Sequence, residues 1–107
     1  MEKISIMNID RIKELFYQLQ EYLKRYGDTS IRNQCRIVEN TIACMNSDEA
    51  DEYKFNYTIE SYRALFTGKG GLTDFYVWDD DFDKRLKINE PYEKITDELW
   101  DIFKDYI

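Results

Sequence analysis

The residues with the most chemistry to offer lie between Tyr76 and Glu90, YVWDDDFDKRLKINE, where carboxylates fall at Asp79, Asp81, Asp83 and Glu90. These match positions 1, 3, 5 and 12 of a calcium loop, with an apolar Leu86 at position 8. Oxygens at that spacing can wrap a hard divalent cation. Carboxylates set this close can also divide acid and base work, provided a cleft holds them in different environments. Both possibilities meet objections. Position 6 of a calcium loop needs a glycine that turns with positive φ, and Lys84 stands there with a Cβ and a positive charge. The stretch entering the loop, DFYVW, reads as a strand where a helix is required, and an exposed acidic run gives its members no separate environments. The expectation is therefore no metal site, no cofactor and no catalytic residue, and a chain that is not an enzyme. The alternative, a carboxylate-based metal-binding domain or enzyme, would show itself by micromolar Ca²⁺ binding or a strongly raised carboxylate pKa.

Other constellations are weaker still. GKGG, Gly68 to Gly71, has the composition of a phosphate cradle, but such cradles run from strand to glycines to helix, whereas here the order is helix, glycines, strand. A structural stop and turn is expected. The chain has no histidine, which removes the commonest general base and the Ser-His-Asp and Cys-His arrangements together. Cys35 and Cys44 are read as lying in one helix, on opposite faces and about 13 Å apart along its axis, too far to pair. A reduced, cytoplasmic protein with two buried thiols is the expectation. The N-terminal MEKISIMNID lacks the apolar region of a signal peptide, and nowhere do eighteen apolar residues run together, so no membrane span is expected.

What the acidic run does offer is aromatic anchors among charges. Tyr76, Trp78 and Phe82 alternate with Asp79, Asp80, Asp81 and Asp83, and these seven residues are the expected partner-binding surface: aromatics supply contact area and acids supply steering. Trp100, beside Leu99, is expected in the core. Charge is unevenly divided, with a net of +1 over residues 1–46 and −8 over 47–107, summing to the −7 of the whole. A field of that sign repels phosphate backbones and favours a basic protein, so nucleic acid is not an expected partner.

The 107 residues, 43% of them hydrophobic, suffice for one domain over 1–107 with a single core. Ile9, Ile12, Phe16, Leu19, Leu23 and Tyr26 recur at steps of three and four, predicting a first helix with Asn8 as cap and Gly27 ending it in the left-handed conformation. After a short linker in which Asp28 or Ser30 can cap, Ile31, Cys35, Val38, Ile42 and Met45 predict a second helix to Asn46, antiparallel to the first. The third opens with Ser47 as cap and an acidic first turn, buries Phe55, Ile59, Tyr62 and Phe66, and stops at Thr67-Gly68. Alternation over residues 75–78 and again over 85–88 predicts a short strand or β-hairpin. Asn89 is the expected cap of a last helix carrying Pro91 early and Tyr92, Ile95, Leu99, Ile102 and Tyr106 on one face. The fold class is mostly α (α+β): three N-terminal helices, a short strand or β-hairpin, and a C-terminal helix.

At YRALFTGKGGLTDFYVW the sequence resembles a small bacterial domain family of unknown molecular function that carries an L-F-G-G-M-G-S-L-N-D-L-like stretch between a helical first part and a final helix. Leu65, Phe66, Gly68, Gly70, Leu72 and Asp74 match it, while Thr67, Lys69, Gly71 and Thr73 depart from it. Such acidic proteins resemble the immunity proteins of contact-dependent growth inhibition and polymorphic toxin systems. The resemblance implies a cytoplasmic inhibitor, monomeric in a 1:1 complex, that binds a cognate toxin domain, a basic nuclease by expectation, and blocks its active site or substrate access. It supplies no catalytic residues. A further alternative is a self-associating helical subunit that pairs through the stripes of its first and last helices.

Overall fold

The computed structural model describes residues 6–66 and 72–107. It contains four helices, α1 (Ile6–Tyr26), α2 (Arg32–Met45), α3 (Asp51–Phe66) and α4 (Phe82–Phe103), with short 3₁₀ turns at Thr29–Ile31, Leu72–Asp74 and Lys104–Tyr106. The bundle is elongated, 46 × 23 × 23 Å. The α1 stripe does what its spacing implies: Ile9, Ile12, Phe16, Leu19 and Leu23 are all buried, and α1 packs against each of the other three helices. The α4 stripe joins them through Tyr92, Ile95, Leu99 and Phe103. The ring of Phe103 stacks on both Phe55 and Tyr62 of α3. Both stripes are thus spent on the core of one chain. Where α2 meets α3 the buried side chains are small and polar. Thr41 Oγ1 lies 2.7 Å from both the Ile37 carbonyl and Ser61 Oγ; its hydrogen serves one and the Ser61 hydroxyl can supply the other, so both groups are satisfied inside the core.

The expected β-hairpin is absent. Among the described residues there is no strand or sheet; residues 85–88 lie within α4, and Phe75–Trp78 has no regular secondary structure. Two side chains explain the difference. Asp81 caps α4, its Oδ1 accepting from Lys84 N at 3.1 Å, so the helix begins at Phe82, nine residues before Pro91 and well ahead of the start expected after Asn89. Asn89 is not a cap but a buried residue of α4. Its Oδ1 accepts from Val77 N at 3.0 Å, and its Nδ2 donates to the Val77 carbonyl at 2.8 Å and to the Arg85 carbonyl at 2.9 Å. One amide side chain therefore gives Val77 both hydrogen bonds that a neighbouring strand would have given it. Pro91, inside the helix, cannot donate to the Lys87 carbonyl; on the adjoining carbonyl, Ile88, Tyr22 Oη donates at 3.0 Å.

Other boundaries are set differently from the expectation. Asn8 lies within α1 and is not its cap. Gly27 does follow α1, but without the positive φ; it is required for space, because a Cβ there would stand 2.5 Å from the Leu23 carbonyl oxygen and 2.7 Å from Ile31 Cδ1. Asp28 caps the 3₁₀ turn Thr29–Ile31, accepting from Ser30 N at 2.9 Å, and not α2, whose N-cap position is Ile31 without a side-chain cap. Ser47 closes α2 instead of opening α3: its hydroxyl donates to the Cys44 carbonyl at 2.6 Å, and α3 starts at Asp51 with Asp51 and Glu52 in its first turn. The expected stop at Thr67-Gly68 and the glycine turn lie outside the described residues. The last carbonyl of α3 is nonetheless satisfied, by Thr73 Oγ1 at 2.6 Å.

Two buried phenols link this architecture to alkaline pH. Tyr22 and Tyr92 stack at 5.2 Å, and Tyr92 Oη donates to the Leu72 carbonyl at 2.7 Å. Burial, helped by Tyr26, Glu93 and Tyr76, pushes Tyr22 up to about 12, and burial with Tyr22 beside it pushes Tyr92 up as well. The folded chain holds these protons more tightly than the unfolded chain, whose tyrosines ionise near 10. Stability from this source is thus intact below pH ~10 and lost as pH rises towards 12. The urea midpoint is expected to fall between pH 9 and pH 11.5, and Tyr92→Phe should flatten that fall; a midpoint constant over the range would contradict it.

Candidate protein-docking surface

The seven residues singled out in the sequence meet at one end of the bundle, in the segment that leads into α4. The turn is built by its own carboxylates. Asp79 Oδ1 accepts from Asp81 N at 2.9 Å, Asp81 caps the helix, and Asp83 lies in the first turn, where a negative charge suits the helix dipole. Asp80 Oδ1 accepts from the Trp78 indole Nε1 at 3.1 Å, fixing the ring direction. The acids therefore have a local structural role as well as a charge. This geometry also departs from a calcium loop: Glu90 is on α4, about 10 Å further along its axis than Asp83, and among the described residues no three acids or cysteines are grouped to hold a metal ion.

The aromatics of this turn are open. Tyr76 is 49% exposed, Trp78 68% and Phe82 59%. Sequence reasoning missed two further members. Leu86, 50% exposed, follows Phe82 by four residues on the helix and extends its apolar face. The Arg85 guanidinium carbon lies 4.0 Å from the Trp78 ring centroid and 5.2 Å from that of Phe82. Both would follow from helical spacing once the start of α4 at Phe82 is recognised; the alternating reading of residues 85–88 concealed them. Trp100 is not in the core as expected. It is half exposed and edges a shallow cleft of about 280 Å³ with Tyr62, Phe66, Leu72 and Tyr92, about 27 Å along α4 from Phe82.

A more voluminous concavity, about 1140 Å³, is an open groove between α1 and α4. Arg11 of α1 spans it to Glu98 of α4 and also bonds Glu14. The Arg11 guanidinium holds Glu98 below the usual carboxylate range. The groove carries charges of both signs, including Lys13, Lys24 and Lys87 beside Asp10 and Glu21, and no cysteine. Cys35 and Cys44 are free and half-buried on α2, and burial pushes both thiols up, away from the reactive thiolate. No helix among the described residues is long and apolar enough to cross a membrane.

No protein-family model, curated protein or solved structure matches this chain.

Proposed function

We propose that this chain is an immunity protein: an inhibitor that captures a basic toxin domain, a nuclease by the charge argument, and covers its active site or its approach to substrate. The observation that supports this is a set of large apolar side chains at the entry to α4, the aromatics Tyr76, Trp78 and Phe82 with Leu86, each about half or more open to water and interspersed with four aspartates. Open aromatic area of this kind is what a docking partner buries, and an acidic fringe accelerates its encounter with a basic one. The inhibitor acts without chemistry of its own. It docks one-to-one, and the overall charge of −7 adds long-range attraction to the local contacts.

Two measurements test the reading. Cells expressing the C-terminal domain of the gene immediately upstream should grow only when this chain is present; persistent toxicity, or a harmless neighbour, would refute it. With a basic partner identified, replacing Asp79, Asp80, Asp81 and Asp83 by asparagine should leave the helical signal unchanged, since asparagine also caps. The association rate at low salt should fall by about tenfold or more. An unchanged rate would remove the acidic turn from the interface.

A further inference from the structure

Arg85 is held in an unusual way. It stands on the first turns of α4 beside four aspartates, yet among the described residues its guanidinium has no ion pair and no hydrogen bond; what it touches are the rings of Trp78 and Phe82. Both rings are otherwise open to water. Planar guanidinium on an aromatic face is a favourable pairing that a compact, strongly hydrated ammonium makes less well. Resting on the docking reading above, we infer that Trp78 and Phe82 form a guanidinium platform that Arg85 fills in the free protein and that an arginine of the basic partner takes over on docking.

The exchange is favoured by what Arg85 leaves unused. Asp79 and Asp80 each spend Oδ1 on the turn or on the indole, and among the described residues no hydrogen bond engages the second oxygen of either. The Asp83 carboxylate accepts no hydrogen bond among the described residues. Arg85 is tethered to the helix beneath the rings and makes none of these pairings. An arginine arriving from solvent is not so constrained, and can stack on the indole while donating to a carboxylate at its rim. Arg85 is thus a competitor on the two rings that the partner must displace. A polyphosphate ligand is opposed by the same four aspartates.

The test uses the full chain carrying Trp100→Phe, which leaves Trp78 as its one indole. The peptide Gly-Arg-Gly-Arg-Gly and its Lys and Ala counterparts are titrated while Trp78 fluorescence and the indole N–H resonance are followed. The Arg peptide is expected to move both signals, the Lys peptide more weakly and the Ala peptide not at all. Arg85→Gln should bind the Arg peptide about three- to tenfold more tightly than the parent, and Arg85→Lys should lie between them. Circular dichroism verifies that α4 is retained, and Arg85→Lys keeps the test alive should Arg85→Gln disturb the first turn. Equal or weaker binding by both variants would make Arg85 a fixed part of the surface and overturn the inference, as would an equal response to the Lys peptide. Because no toxin enters this experiment, loss of growth rescue with the exchange intact refutes only the immunity reading, and the converse refutes only the platform.

Discussion

Asn89→Leu is expected to destabilise the fold by about 2–4 kcal/mol, the largest effect of any single polar substitution in the chain. Leucine is nearly isosteric and apolar, and the site is buried, so a residue valued only for filling space would lose nothing. The loss comes from the groups left behind. Val77 N and the Val77 carbonyl have the Asn89 amide as their hydrogen-bond partner, and among the described residues no strand lies alongside to replace it. Asn89→Asp is the sharper test. Aspartate still accepts from Val77 N but brings a carboxylate against the Val77 and Arg85 carbonyls, to which Nδ2 now donates. It should cost more than leucine at pH 7 and recover in part towards pH 4, as the carboxyl takes up a proton and can donate again. Urea denaturation of both variants at the two pH values checks this; a leucine variant within roughly 0.5 kcal/mol of the parent, the range of neutral surface changes, would mean that water replaces the amide.

Asn89 also marks where the sequence misleads. The first two helices were legible because their stripes run long enough for a 3.6-residue period to be distinct, and Ile9 through Leu23 are buried as the spacing implies. The stretch from Phe75 to Ile88 was not. Exposure does alternate from Phe75 to Trp78, but what pairs with the segment is a side chain from a helix, which no local pattern announces. Arg85 to Ile88 alternates charged and apolar residues by coincidence, on a stretch of helix where exposure does not alternate and Leu86 is open to water. Asn before Pro is a strong signal for a helix start, and Asp81 as the true cap was hidden in a run of acids any of which could have served. The docking residues were found despite the wrong element. Their identification rested on residue types close together in sequence, and a turn into a helix gathers them as a hairpin would have. Arg85 and Leu86 were lost for the opposite reason, since only helical spacing places them with Phe82. The expected burial of Trp100 failed because apolar character alone was taken to imply a core position, whereas Leu99 beside it holds the buried face.

The surface that these residues form can be located functionally with two tryptophans. Trp78→Ala is expected to weaken the complex with the basic partner by about 2–4 kcal/mol, roughly 30- to 900-fold in Kd, chiefly through faster dissociation. The ring is 68% exposed in the free chain, so its removal creates no cavity and the melting temperature should stay near that of the parent. Trp100→Ala is the matched comparison: it removes a half-exposed indole at the other end of α4, and affinity should be unchanged. Phe82→Ala should follow Trp78 in direction with a smaller loss, because truncating it removes one wall of the platform and leaves the indole. These outcomes separate a docking surface from ordinary exposed aromatics. If Trp78→Ala and Trp100→Ala are both silent, the partner binds a face without either indole, such as the α1–α4 groove. If Trp100→Ala alone weakens the complex, the cleft it edges with Tyr62 and Phe66 is the interface, and the acidic turn serves only to cap and solvate the start of α4.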